Sequence, residues 1–303
     1  MKKSVAHARG HLSKAERHTL FTGLAFASPW IIGFLFFTLY PVLSSLAYSF
    51  TEFSILKEPV FVGFDNYVKM FTNDRLFWIS LKNTGYMIVV GLSIILVVTF
   101  VIAVIVNDKR LRGTSLIRTL FFMPTLVPAV VLCILWIWML QPESGVINGL
   151  LGMFGIRGPA WLASPTWSKP GIILMQLWCS GNMIIIFLAG LQGIPGDLYE
   201  AVEIDGGNFL HKFWFITIPY MMPIIAYNLI TGMIRMLQQF TEAFIMTNGG
   251  PNDSTTFFGY YLYNNAFKYL KMGYASAMAW VMLIMAMILT IIMLKITKFG
   301  KEI

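Results

Sequence analysis

The chain has 303 residues, 57% of them hydrophobic and 12% charged, with a formal net charge of +8 and a mean hydropathy of +0.71. A soluble domain carries about 25% charged residues, so a large globular core is excluded and a membrane protein is indicated. The basic excess does not gather into a nucleic-acid-binding face; it sits in short segments between apolar runs, where Lys and Arg set topology and meet anionic membrane lipid.

Taken in chain order, a basic tail over residues 1–18 precedes the first of six apolar runs. These predict membrane spans at Thr19–Phe50, Thr84–Asn107, Leu116–Leu140, Gly171–Leu191, Pro219–Leu237 and Tyr274–Ile296. About 20 residues at 1.5 Å each cross the hydrocarbon. The expected fold is therefore all-α and polytopic, with a membrane domain over 19–298 and a short tail over 299–303. The first run is longer than the rest and contains Pro29 and Pro41, so its ends are expected to bend or lie at the interface. An "AFAS" stretch at Ala25–Ser28 resembles a signal-peptidase site, but the apolar run continues past it, which favours an uncleaved anchor. Cys133 and Cys179 both fall inside apolar runs and read as small buried hydrophobes rather than a disulfide.

Orientation follows from the basic residues. Thirteen Lys and Arg fall in the N-terminal tail, the segment Asn107–Arg118, the segment Gln192–Ile218 and the C-terminal end from Lys295 onward; eight fall in the three loops on the other side, largely balanced by acids. The positive-inside rule then places both termini and the 192–218 segment in the cytoplasm. That segment itself holds only Lys212, so its side is fixed by counting spans.

The third and fifth runs carry prolines, Pro124, Pro128 and Pro223, which free backbone carbonyls and bend helices. They shape either a gate or a packing kink. Arg235 and Glu242 are the main ionisable residues near membrane depth, seven apart and so on one face of a continuing helix. They serve either an aqueous cavity or a mutual ion pair at the membrane surface. Gln176, Asn182, Asn228, Gln238 and Gln239 are the remaining polar candidates for a solute route, with helix-to-helix hydrogen bonding as the rival use. So few intramembrane charges suit a neutral, hydroxyl-rich solute, although Arg235 leaves an anionic sugar open. Trp161, Trp167, Tyr260, Tyr261 and Tyr263 read as an interfacial aromatic belt, or as platforms for sugar rings. After the fifth run, "TNGGPNDSTTF" closes a semi-apolar stretch that re-enters or extends that span.

The most specific signal lies between the fourth and fifth runs, in "DLYEAVEIDGGNFLHKFWFITIP" (residues 197–219). It gathers four acids of the chain's 14. Asp197 followed by Glu200 has the spacing of a capped helix start. Gly206 and Gly207 stop that helix. Asn208 can cap a second short helix with Phe209, Phe213 and Ile216 on one stripe, and Pro219 then opens the fifth span.

This order resembles the cytoplasmic EAA loop of ABC-importer permeases, with Glu200, Ala201, Gly206, Ile216 and Pro219 in matching places. Val202, Gly207 and Ile218 depart mildly from the pattern. "RTLFFMPTLVPAVVLCILWIWMLQPESGVINGLL" (Arg118–Leu151) and "FIMTNGGPNDSTTFFGYYLYNNAFKYLKMGYASAMAW" (Phe244–Trp280) resemble the carbohydrate branch of that family, similar to maltose and glycerol-phosphate permeases. The resemblance implies a type I ABC importer permease fold in a bacterial cytoplasmic membrane. It also implies a second homologous permease, an ABC ATPase dimer and an extracytoplasmic solute-binding protein as partners. Glu200, Ala201, Asp205, Gly206, Gly207, Phe213, Ile216 and Pro219 would then form the ATPase-coupling element.

No G-x-x-x-x-G-K-[ST] phosphate loop occurs, so no cofactor is expected on this chain and ATP-Mg would reside on the partner ATPase. His7, His11 and His18 lack metal-ligand spacing and His211 stands alone, so no metal site is expected. No catalytic constellation stands out. The rival readings are an ion-coupled secondary transporter, an ABC permease for a polyol or sugar phosphate, a non-transporting membrane scaffold and a membrane-embedded enzyme.

Overall fold

The computed structural model describes residues 14–108 and 111–297; most of the basic tail and the extreme C-terminus lie outside them. The chain folds as a helical bundle with one β-hairpin. Four helices are long and apolar enough to cross a membrane, His18–Ser49, Arg75–Val106, Phe209–Leu237 and Met272–Ile296, and two bent pairs raise the number to six.

The third span bends where its prolines lead one to expect, and the fourth bends where the sequence gives no such sign. In the third, Thr114–Leu126 and Ala129–Met139 meet at 102°. Two prolines explain the break. Pro124 lies in the first turn of the 3-10 segment Met123–Leu126, and Pro128 forces the residue before it out of the helical region, so that Val127 is extended (φ −80°, ψ 132°). In the fourth, Ser168–Trp178 and Gly181–Gln192 meet at 51°. Here the cause is close approach. A Cβ on Gly181 would lie 2.0 Å from the Phe121 carbonyl oxygen, so only glycine lets the third span's first half sit against this turn.

Two other prolines are absorbed without a break. The π-turns Leu35–Leu39 and Phe213–Thr217 each end two residues before a proline, Pro41 and Pro219. Proline lacks the N–H and its ring crowds the carbonyl four residues back, here Phe37 and Phe215, and a widened turn relieves that clash. Pro219 therefore does not open the fifth span; it sits inside an unbroken helix that begins at Phe209. Pro223 likewise lies within the continuous helix Ile218–Leu237.

Three buried clusters hold the bundle. A central one joins the second, third, fourth and fifth spans through Met87, Leu92, Cys133, Trp136, Ile172 and Met233. At one end Phe100, Phe187, Leu191 and Met221 form a second, against which Tyr199, Phe213 and Ile216 pack. At the opposite end Met70, Phe77, Phe258, Tyr261, Tyr274 and Met278 form the third. There Asp74 caps the second span, accepting from the Phe77 N–H at 3.0 Å, and takes the hydroxyls of Tyr261 and Tyr274 on its other oxygen at 2.7 and 2.5 Å. One carboxylate thus ties three separate helices.

The same end contains the hairpin Thr51–Ser54 with Lys57–Phe61, paired antiparallel with Thr51 opposite Phe61. This hairpin is the one departure, among the described residues, from the all-α fold expected from the sequence. The fifth helix ends at Leu237 and is not extended by the semi-apolar stretch after it; "TNGGPNDSTTF" closes that stretch. It is a compact turn held by Asn83, whose amide donates to the carbonyls of Asp253 (2.7 Å) and Thr256 (3.2 Å), and by Lys169, which donates to Asn83 Oδ1 (3.0 Å) and the Ser254 carbonyl (3.1 Å).

The first span stands apart. None of the residues in its most apolar stretch is buried; its second half meets the sixth span, where Trp280 Nε1 donates to Ser45 Oγ at 3.2 Å.

Candidate functional site: a tethered short helix and a polar cavity

The acidic segment forms the helix Gly196–Ile204. Its start differs from expectation. Pro195 is the N-cap residue, and Asp197 lies inside the first turn without a side-chain cap. There its charge still favours the helix dipole. The end is as the glycines imply. Gly206 takes φ +76°, and the N–H groups of Gly206 and Gly207 return to the carbonyls of Glu203 (3.0 Å) and Val202 (2.8 Å). Asn208 then caps the next helix, accepting from the His211 N–H at 3.1 Å while the His211 ring accepts from the Asn208 N–H at 3.4 Å. That helix is not a separate amphipathic piece but the first turn of the fifth span.

Two contacts bind the short helix to this base. Lys212 pairs with Glu203, and the hydroxyls of Tyr199 and Thr217 lie 3.0 Å apart. Neither contact stands out in the sequence, although Lys212 is the segment's one strong cation among four acids. Glu200, Ala201, Asp205 and Gly206 remain exposed, as do Leu198, Ile204, Phe209 and Leu210. Phe213 and Ile216 instead turn inward onto the end cluster. The result is a short rod with an outer face of mixed acidic and apolar character, fixed to a long helix.

Toward the middle of the bundle a cavity of about 220 Å³ opens between the second to fifth spans. Gln176, Asn182, Asn228, Arg235 and Glu242 all line it. An adjoining recess of about 410 Å³ shares Gln176, Arg235 and Glu242 and adds Gln238 and Gln239. All seven polar candidates from the sequence therefore border one connected space. The geometry that unites Arg235 and Glu242 is not the one expected. The fifth helix ends at Leu237, and Glu242 precedes a separate turn, Ala243–Thr247. The two form no ion pair with each other; Glu242 accepts from Gln176 Nε2 at 3.2 Å. Asn228 is spent on its own helix, donating to the Ile224 carbonyl at 3.1 Å. Tyr227 and Thr231 also line the cavity, beyond the residues the sequence reading names. The signal for them is there, since Tyr227, Thr231 and Arg235 recur every four residues.

The outer aromatics are mostly committed elsewhere. Tyr260 and Tyr261 are buried, their hydroxyls bound to Asn248 and Asp74, and Trp161 donates to Asn148 Oδ1 at 2.7 Å. Tyr260 and Tyr261 are thus not open platforms for sugar rings, whereas Trp167 is exposed. Among the described residues no group of three His, Cys, Asp or Glu could hold a metal ion.

The chain is thus a polytopic helical bundle with a tethered short helix at one end and a polar cavity within. The chain belongs to the family of binding-protein-dependent transport system inner membrane components, whose family model matches residues 100–299. It is 40% identical to the probable ABC transporter permease protein YesP of Bacillus subtilis, over 95% of this chain and 94% of that protein. It is 35% identical to the lactose transport system permease protein LacF of Rhizobium radiobacter, over 92% and 94%. Its fold matches a bacterial ABC transporter involved in import of the acidic polysaccharide alginate with a TM-score of 0.80, at 23% identity over 95% of this chain and 100% of that one. The chain is thus a multi-pass membrane protein with the type I importer permease fold, a transport component that works with a solute-binding protein.

Proposed function

We propose that this chain is one permease subunit of an ATP-driven carbohydrate importer. The observation that carries the reading is mechanical continuity. The helix Gly196–Ile204 is pinned by Glu203–Lys212 and Tyr199–Thr217 to a helix running unbroken from Phe209 to Leu237, whose far end lines the polar cavity. A push on the short helix therefore moves the cavity wall as a rigid body. The carbohydrate class is supported by LacF, whose name assigns lactose to that protein.

On this reading Glu200, Ala201, Asp205, Gly206 and Gly207 seat on a separate ATPase dimer that binds ATP-Mg, and this chain binds no cofactor. Both termini and the short helix lie in the cytoplasm. The uncovered first span suits a second, similar permease, since a long helix with no buried residue in its apolar stretch has no partner there within its own chain. Vesicles holding the whole assembly should accumulate sugar only with ATP inside the ATPase compartment. Uptake that follows an ion gradient and survives removal of the ATPase would defeat the proposal.

A further inference from the structure

The cavity holds two charges of opposite sign that form no ion pair with each other, and only Glu242 has a hydrogen-bond partner. Glu242 takes a hydrogen bond from Gln176. Arg235 is exposed to the space and, among the described residues, has neither a hydrogen bond nor an ion pair. Beside it Gln239 is 5% exposed, yet neither its amide oxygen nor its amide nitrogen finds a partner, and the oxygen of Gln176 is also unpaired. Buried polar groups are satisfied in roughly nine cases of ten or more, so three unpaired atoms around one recess point to an occupant that supplies the missing bonds.

From this geometry we infer that the cavity receives a sugar unit bearing a carboxylate. The inference rests on the carbohydrate-importer reading and specifies its substrate. An intramembrane cation faces a counter-charge or a cavity that brings one. Arg235 offers a planar fork of donors matched to the two oxygens of a carboxylate. Gln239 can both donate to and accept from ring hydroxyls, while Gln176 Oε1 and the free edge of Glu242 accept from them. Glu242 lines the same space but forms no ion pair with Arg235, and its hydrogen bond is to Gln176. The cavity of about 220 Å³ adjoins the recess of about 410 Å³ that holds Gln239, a space on the scale of the ~300–1,000 Å³ of ordinary ligand pockets and suited to a sugar unit.

The test uses the purified transporter complex in lipid nanodiscs, without its solute-binding protein, titrated with galacturonate and separately with galactose. Galacturonate should bind at least tenfold more tightly than galactose. Arg235→Gln should erase that difference, and Arg235→Lys should retain part of it. Equal binding of the two sugars, binding of neither, or a preference that survives in Arg235→Gln would each overturn the inference. So would loss of complex stability in Arg235→Gln without ligand, since that would assign the counter-ion to another subunit. A galactose-selective complex that still imports sugar with ATP would refute the acidic substrate and leave the importer reading standing.

Discussion

The hydroxyl of Tyr199 meets that of Thr217 at 3.0 Å, joining the short acidic helix to the base of the fifth span. Thr217 is buried and Tyr199 packs on the end cluster, so this contact is partly buried, whereas the Glu203–Lys212 pair beside it is largely exposed on the Glu203 side. Exposed ion pairs contribute little, ~0–1 kcal/mol. The hydroxyl contact and the packing beneath it are therefore the stiffer link.

Tyr199→Phe keeps the ring and deletes the hydrogen bond, a loss of about 1 kcal/mol. It should lower sugar taken up per ATP hydrolysed severalfold while leaving the ATPase rate near normal. Glu203→Gln should change that ratio much less. Paired uptake and phosphate-release measurements on one vesicle preparation decide the order.

On the exposed face, Glu200→Lys reverses a charge that no hydrogen bond or ion pair among the described residues requires. Gly206→Val places a β-branched residue at φ +76°, where side chains are strained by roughly 1–3 kcal/mol. Both should reduce ATP-coupled uptake at least tenfold with membrane levels close to wild type. Immunoblots of membrane fractions beside uptake assays check this, and normal uptake by both would contradict the coupling role.

Gly181→Ala should be severe. Its added carbon would lie 2.0 Å from a backbone oxygen that cannot swing aside. Overpacking of this kind costs about 1–3 kcal/mol, and thermal melting in detergent should fall by several degrees. Gly85→Ala is the control: nothing lies within 4 Å of the point its new Cβ would occupy, and helix propensity favours alanine.

Asp74→Ala removes a helix cap and strands two buried hydroxyls, so it should destabilise more than either Tyr261→Phe or Tyr274→Phe alone. Cap loss by itself costs ~0.5–2 kcal/mol. Burial first, and the Asp74 carboxylate second, raise the Tyr261 phenol above its ordinary range. The folded state thus favours the neutral phenol. Its contribution is whole below the ordinary tyrosine value of about 10 and declines as pH rises toward the folded value. Melting temperature should drop above about pH 10, and less steeply in Tyr261→Phe.

Much of this architecture is legible in the sequence because a membrane span announces itself by length and apolarity alone. What composition does not encode is direction. The third run contains enough apolar residues for one helix, but Pro124 and Pro128 turn it through 102°. The fourth bends at a contact with Phe121, a residue far away in sequence. The hairpin escapes a sequence reading because its strands are four and five residues long and lack a clean polar–apolar alternation. The cavity residues are legible for a partly wrong reason. Arg235 and Glu242 converge across a helix break, whereas their spacing suggests a seven-residue period on one helix. Asp197 suits the cap by residue type, but Pro195 occupies that position and needs no N–H there.

The central claim is that the helix ending at Ile204 faces the cytoplasm and seats on the ATPase. Ile204 is 86% exposed, so a cysteine placed there reports the surroundings of that surface directly. In cells carrying Ile204→Cys, a membrane-impermeant maleimide should leave the site unlabelled from outside and label it in inside-out vesicles once the ATPase is stripped away. Labelling of intact cells from the outside would contradict the account.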